Sequence, residues 1–358
     1  MASTLCMAGL LLLLAAAVVA APSVRAANPE LQRQDRFVDL PSNERLFVRE
    51  VRRADDTAAT PASAVLLLHG ARVPGLASFD LPVPGGSLAA DLAAAGHRVY
   101  ILDLRGYGKS SRPAAMEAPA SASSPLMRTA DAVADISAAV AAIKGWTGLA
   151  QVSLLGWATG GHWLGAYAAA HPQEVRRLVV VNTLYGGSDK HPTLGAGSSL
   201  EDPKRPGTLN AAGLGGWRLN TRESLYGAWD SSIPDADKST GRDPAVANAY
   251  GDAALASDET STTRTPPSFR APSGAMADAF ELAMDRRQWR AADLAMPVLV
   301  IRSSRDFWSR PEDATTLARE APQAELLLVE GATHFVHLDR ASAGRTVFLD
   351  AVLKFLKD

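Results

Sequence analysis

What most limits the folds open to this chain is a series of short apolar runs separated by helical patterns. The runs are "SAVLLLHG", "RVYILDLRGYG", "QVSLLGW" and "VRRLVVVNT" in the first half, then "MPVLVIRSS" and "AELLLVEG" near the end. Between and after them, "SLAADLAAAGH", "RTADAVADISAAVAAIKGW", Gly160 to His171, the stretch around "EDATTLARE" and the final "RTVFLDAVLKFLKD" read as helices. Strands that are apolar on both faces must be covered on both, and strands joined through helices run parallel. The pattern therefore predicts an α/β fold with a mostly parallel central sheet and helices on both faces. Upstream, "RFVDL" and "RLFVREV" alternate as a hairpin does.

The alternation stops near Tyr185 and resumes near Leu294. The intervening residues are rich in Gly, Pro, Ser and Thr, yet carry Trp217, Tyr226, Trp229, Phe269, Phe280 and Trp289. So long an interruption with so many aromatic residues predicts a packed insertion over the strand ends. The expected organisation is a core of residues 27–186 and 293–358, with a cap over 187–292.

A chain of 358 residues with 47% hydrophobic content can bury one large core. Its 36 basic and 38 acidic residues leave a net charge of −2, with no long run of either sign, so nothing marks a nucleic-acid partner. The opening "MAGLLLLLAAAVVAAPSVRA" reads as a signal peptide ending at Ala26, which predicts a periplasmic or secreted protein without stable membrane insertion after cleavage. An uncleaved anchor helix is the alternative, since the apolar run approaches a bilayer's span. Cleavage removes Arg25, taking the net charge to −3, and the single cysteine, Cys6. The remaining chain has neither a disulfide nor a thiol nucleophile.

"SLLGWATGGHW" has the form of a strand, a tight turn and a helix. Glycines beside the apex of such a turn let one side chain stand at the top of a sheet, facing a helix N-terminus. Gly156, Gly160 and Gly161 supply that geometry, and Ala158 occupies the apex. "LLLHG" followed by Ala71 places another backbone N–H at a strand end. "DLRGYGKSS" is not a phosphate loop, because Asp103 stands where GxxxxGK[ST] needs glycine.

Together "LLLHG", "DLRGYGKSSRP", the elbow, "VRRLVVVNT", "PVLVIRSSRDFWSRPED" and "EGATHFVHLDR" resemble the α/β-hydrolase superfamily, in that family's order and over nearly all of the mature sequence. The resemblance implies a sheet of about eight strands and a Ser-His-Asp type site acting on an acyl compound. It places the acid at Asp306, the base at His334 and the nucleophile position at Ala158. Oxyanion donors fall at the backbone N–H groups of Ala71 and Thr159, and pocket residues at His69, Trp157, Phe307 and Trp308. A buried carboxylate would fix the imidazole tautomer and stabilise its protonated form. Asp313 and His337 are local competitors, expected at the surface or behind the site. No metal or organic cofactor is implied: His334 and His337 lack an evident third ligand.

Alanine cannot form an acyl-enzyme, and losing the nucleophile typically costs roughly a million-fold in turnover. Three readings stay open. Ala158 replaces a serine in an otherwise intact ester hydrolase; or Ala158 is native and the His334-Asp306 dyad acts as a base without a covalent step, as in lyases or cofactor-free oxygenases of this fold; or the pocket serves a non-catalytic binder.

Overall fold

The computed structural model describes residues 29–41 and 43–357. The expected leader, with Cys6, lies outside them. The chain runs through β1 (Leu31–Asp39), β2 (Arg45–Arg53), β3 (Ala64–Leu68), α1 (Gly75–Phe79), α2 (Leu88–Ala94) and β4 (Arg98–Asp103). It continues through α3 (Thr129–Thr147), β5 (Val152–Trp157), α4 (Thr159–Ala170) and β6 (Val175–Val181). An insertion follows, with α5 (Ala211–Leu214), β7 (Trp217–Thr221), α6 (Arg222–Ser231), α7 (Pro244–Ala256), β8 (Ser268–Pro272) and α8 (Gly274–Ala283). The main sheet then resumes with β9 (Val298–Arg305), α9 (Pro311–Glu320), β10 (Ala324–Thr333) and α10 (Arg345–Lys357).

Eight strands form one sheet in the order β1-β2-β4-β3-β5-β6-β9-β10. β2 pairs antiparallel with both β1 and β4, and every pair from β4 to β10 is parallel. The predicted fold class is thus the observed one. Alternate residues of each inner strand feed two separate cores. Leu66, Leu68, Tyr100, Leu102, Leu154, Leu178, Val180, Val298 and Val300 face Trp163, Leu164 and Tyr167 of α4 and Ile136 and Val140 of α3. Val65, Leu67, Val99, Ile101, Leu155, Val179, Val181, Leu299 and Ile301 face Leu88 and Leu92 of α2 and Phe348 and Val352 of α10. Both faces are dry, so the loops at the strand ends are left to carry polar chemistry.

The insertion folds around the antiparallel pair β7 and β8, in register from Trp217↔Pro272 to Thr221↔Ser268. Trp229, Phe269 and Phe280 are fully buried. Trp229 stacks on Phe335 at 4.7 Å and donates its indole N–H to Asp339 at 2.8 Å, which fastens the insertion to the turn after β10. The "DLRGYGKSS" stretch proves architectural: the Asp103 carboxylate accepts the backbone N–H groups of Gly75 at 2.7 Å and Lys109 at 3.0 Å. Among the described residues no helix is long and apolar enough to cross a membrane.

Helix α4 meets β3 through bare backbone. A Cβ on Gly160 would stand 2.3 Å from the Leu68 carbonyl oxygen and 2.5 Å from that of His69, neither of which can swing aside. Gly160→Ala is therefore expected to lower stability by about 1–3 kcal/mol in denaturant titration. Gly227→Ala is the control, because a Cβ there meets nothing within 4 Å on α6; it should be neutral or stabilising by up to about 1 kcal/mol.

Candidate active site

The parallel strands deliver their C-terminal ends to one rim. Ala71 follows β3, Ala158 follows β5, Asp306 follows β9 and His334 follows β10. Ala158 adopts φ +53° and ψ −124°, a region an L-residue occupies only when its surroundings impose it. Its N–H donates to the Val181 carbonyl at 2.8 Å, and its carbonyl accepts the Gly161 N–H at 3.0 Å. Gly156 makes the turn possible, since a Cβ there would lie 2.5 Å from the Gly160 backbone. The elbow is thus fully built around a methyl group.

Nδ1 of His334 lies 2.6 Å from Oδ1 of Asp306. That carboxylate also accepts the N–H of Trp308 at 2.9 Å, the N–H of Ser309 at 3.0 Å and the Ser309 hydroxyl. Burial alone would raise the Asp306 pKa, but the imidazole and these donors outweigh it and hold the carboxyl below its usual range. An ionised Asp306 keeps the His334 proton on Nδ1 and leaves Nε2 to act as a base. The backbone of His334 is fixed as well: its carbonyl accepts Trp157 Nε1 at 2.8 Å and Asn182 Nδ2 at 3.0 Å. Asn182, at φ +51°, also takes the Ser303 N–H on Oδ1 at 2.7 Å, joining the ends of β6, β9 and β10.

Ala71, Trp157, Ala158, Thr159, Phe307, Trp308 and His334 all line one cavity of about 520 Å³, part of it open to solvent. The remaining wall comes from Gly70, Arg72, Val73 and Phe335 and, from the insertion, Arg218, Leu225, Tyr250 and Met276. Thr159 begins α4, so its N–H has no acceptor within the helix and belongs to the positive end of the helix dipole. The carbonyl of Ala71 is held by the Tyr107 hydroxyl and by Arg218 Nη2, each at 3.1 Å, which fixes the turn at that residue.

One expectation is corrected. His69 does not line the cavity: it is fully buried, with Nδ1 on the Gly70 carbonyl at 2.7 Å and Nε2 accepting the Leu104 N–H at 3.3 Å. Burial lowers its pKa to about 4, so it is a neutral brace for the loop that carries Ala71. Asp313, expected at the surface or behind the site, is fully buried, accepting the N–H groups of Tyr185 at 2.9 Å and Gly186 at 2.7 Å and pairing with Arg310. His337 is buried behind the site, its ring 4.6 Å from Trp157 and 5.5 Å from Phe79. Among the described residues, no three His, Cys, Asp or Glu side chains are grouped to hold a metal ion. Asn182, Arg72 and Arg218 were not anticipated. Only Asn182, closing the run "VRRLVVVNT", carried a signal, as a polar residue at the end of a buried strand.

The family described as alpha/beta hydrolase fold matches residues 63–341, and the chain belongs to it. Among curated proteins, polyketide synthase ThaQ of Burkholderia thailandensis is 28% identical over 298 residues, covering 82% of this chain. The match spans only 12% of that much longer protein. Among solved structures, an esterase from Rhodococcus sp. ECU1013 aligns with a TM-score of 0.55 at 19% identity, covering 91% of this chain and 98% of its own. The thioesterase domain from the curacin biosynthetic pathway gives 0.55 at 15% identity, covering 90% and 99%. At these identities the structures attest the fold.

The buried His337 gives the protein an acid-sensitive element. Burial, with the neighbouring His334 and Arg345 adding to it, holds its pKa at about 3, against 6.5 for a free imidazole. Between those values the unfolded chain binds a proton that the folded chain does not, so stability present at pH 7.5 is lost as pH falls below 6.5. The share from this residue reaches about 2 kcal/mol by pH 5. His337→Phe keeps an aromatic ring against Trp157 and should lose less stability than the parent between pH 7.5 and 5. Unfolding curves at both pH values measure this, and equal losses would acquit the imidazole.

Proposed function

We propose that this chain is a carboxylic ester hydrolase in which alanine stands where the working enzyme has serine. The observation that carries the reading is the pairing of an oriented His334-Asp306 couple with an apex residue held at φ +53°. A methyl group gains nothing from that strained position, whereas a hydroxyl there would stand at the cavity that His334 also lines. In the working form the serine attacks the acyl carbon while His334 Nε2 takes its proton, and Asp306 stabilises the resulting imidazolium. The N–H groups of Ala71 and Thr159 receive the developing oxyanion. His334 then protonates the leaving alcohol, and water repeats the sequence to release the acid. The insertion acts as a cap that supplies apolar wall and excludes water, and residues 1–26 act as an export leader. The names of the esterase and thioesterase with the same fold support an acyl substrate.

A second reading rests on the same couple: His334 and Asp306 are oriented without help from residue 158, so they can serve as a general base in a reaction with no covalent step. One pair of variants separates the two. Ala158→Ser should raise turnover of p-nitrophenyl butyrate by at least about a thousand-fold, and His334→Ala in that background should abolish the gain. If Ala158→Ser is as inert as the parent, the serine hydrolase reading fails.

A further inference from the structure

Among the described residues, the cavity wall contains two arginines and no carboxylate. Arg72 follows β3, Arg218 lies on β7, and the other lining residues are glycine, threonine, tyrosine, histidine or apolar. Among the described residues neither arginine forms an ion pair, although Arg33, Arg49, Arg98, Arg105, Arg270 and Arg310 all do. Their acceptors are neutral. Arg72 reaches Asn220 Oδ1 at 3.0 Å, the Ser224 hydroxyl at 2.6 Å and the Ser224 carbonyl at 3.4 Å. Arg218 makes one bond among the described residues, from Nη2 to the Ala71 carbonyl at 3.1 Å. A guanidinium carries five N–H donors, so Nε and Nη1 of Arg218 are left without a protein acceptor among the described residues.

Among the described residues the indole N–H of Trp308, a lining residue, has no protein acceptor either, although that nitrogen is itself buried. Two like charges beside an apolar wall oppose each other, and burial penalises both. Accordingly burial lowers the Arg218 pKa to about 10, with Arg72 pushing the same way against Tyr107, and burial lowers Arg72 as well. A structural clamp on the Ala71 carbonyl requires one donor and no charge. The excess of donors and of positive charge at a cavity that already holds the oriented His334 is explained when the ligand brings the anion.

We propose that Arg218 and Arg72 form a subsite for a carboxylate carried by the substrate, so that the acyl compounds taken by this site are anionic at neutral pH. The planar fork of a guanidinium matches a carboxylate with two parallel N–H···O bonds, and Arg218 keeps one such fork, made by the second hydrogen of Nη2 together with Nε or Nη1. The subsite lies on the Gly70–Val73 side of the cavity, where Arg218 already touches Ala71. Calling its ligand a substrate rests on the hydrolase reading above; the anion site itself does not.

Calorimetry on the chain with Ala158 tests the site without chemistry. Monomethyl glutarate should bind about ten-fold or more tighter than dimethyl glutarate. Arg218→Gln should erase that difference and Arg218→Lys should recover part of it, with Arg72→Gln as a second variant if the first fails to fold. Equal affinity of the two esters for the parent overturns the proposal. In the Ala158→Ser background, the ratio of kcat/KM for mono-p-nitrophenyl glutarate over p-nitrophenyl butyrate should fall about ten-fold or more in Arg218→Gln. If both substrates decline together and the ratio stays fixed, Arg218 is only a clamp on Ala71, and the subsite falls while the hydrolase reading stands. Conversely, Arg218-dependent binding of the monoester with no turnover by Ala158→Ser keeps the subsite and sinks the hydrolase reading.

Discussion

The contact between Gly160 and the carbonyls of Leu68 and His69 draws the first turn of α4 against the end of β3, with no side chain between them. Much else follows from that approach. It brings the N–H of Thr159, at the start of α4, and the turn at Ala71, beyond β3, onto one cavity wall. It also forces the chain between β5 and α4 into so short a path that Ala158 must take a left-handed φ. Around this point the sheet has no freedom left, because both of its faces are already filled by apolar side chains. The polar groups of the site are therefore held by backbone and by one another.

His334 shows how that works. Its ring is held by Asp306 and its carbonyl by Trp157 and Asn182, so three strand ends agree on the position of one imidazole. Asp306 in turn is satisfied by the N–H groups of the segment it begins. A carboxylate buried without those donors would take up a proton and lose its hold on the ring. Orientation of the imidazole and charge on the carboxylate are thus one property, maintained by a short turn after β9.

Much of this could be read from the sequence, and for a definite reason. The family resemblance singled out Ala71, Ala158, Asp306 and His334; each follows an apolar run, and a parallel sheet gathers such positions at one rim. His69 was misplaced because one residue along a turn changes its direction: Gly70 and Ala71 face the cavity while the imidazole points into the core. For Asp313 the sequence left surface and buried placements open, because nothing in "RPEDATT" reveals that the backbone of Tyr185 and Gly186 needs an acceptor. The insertion was legible only as a packed mass, since its segments are short and separated by Gly and Pro. Arg218 reaches the site through the pairing of β7 with β8, residues fifty positions apart, which no local pattern encodes.

The strained backbone at Ala158 has an evolutionary side. Alanine and serine differ by one oxygen atom, and the codons GCN and TCN differ by one base. A turn that had relaxed would need many coordinated changes before any side chain could stand at its apex. Here the positive φ is present with alanine in place, so on the proposed reading a single base change separates this chain from one with a hydroxyl at that apex.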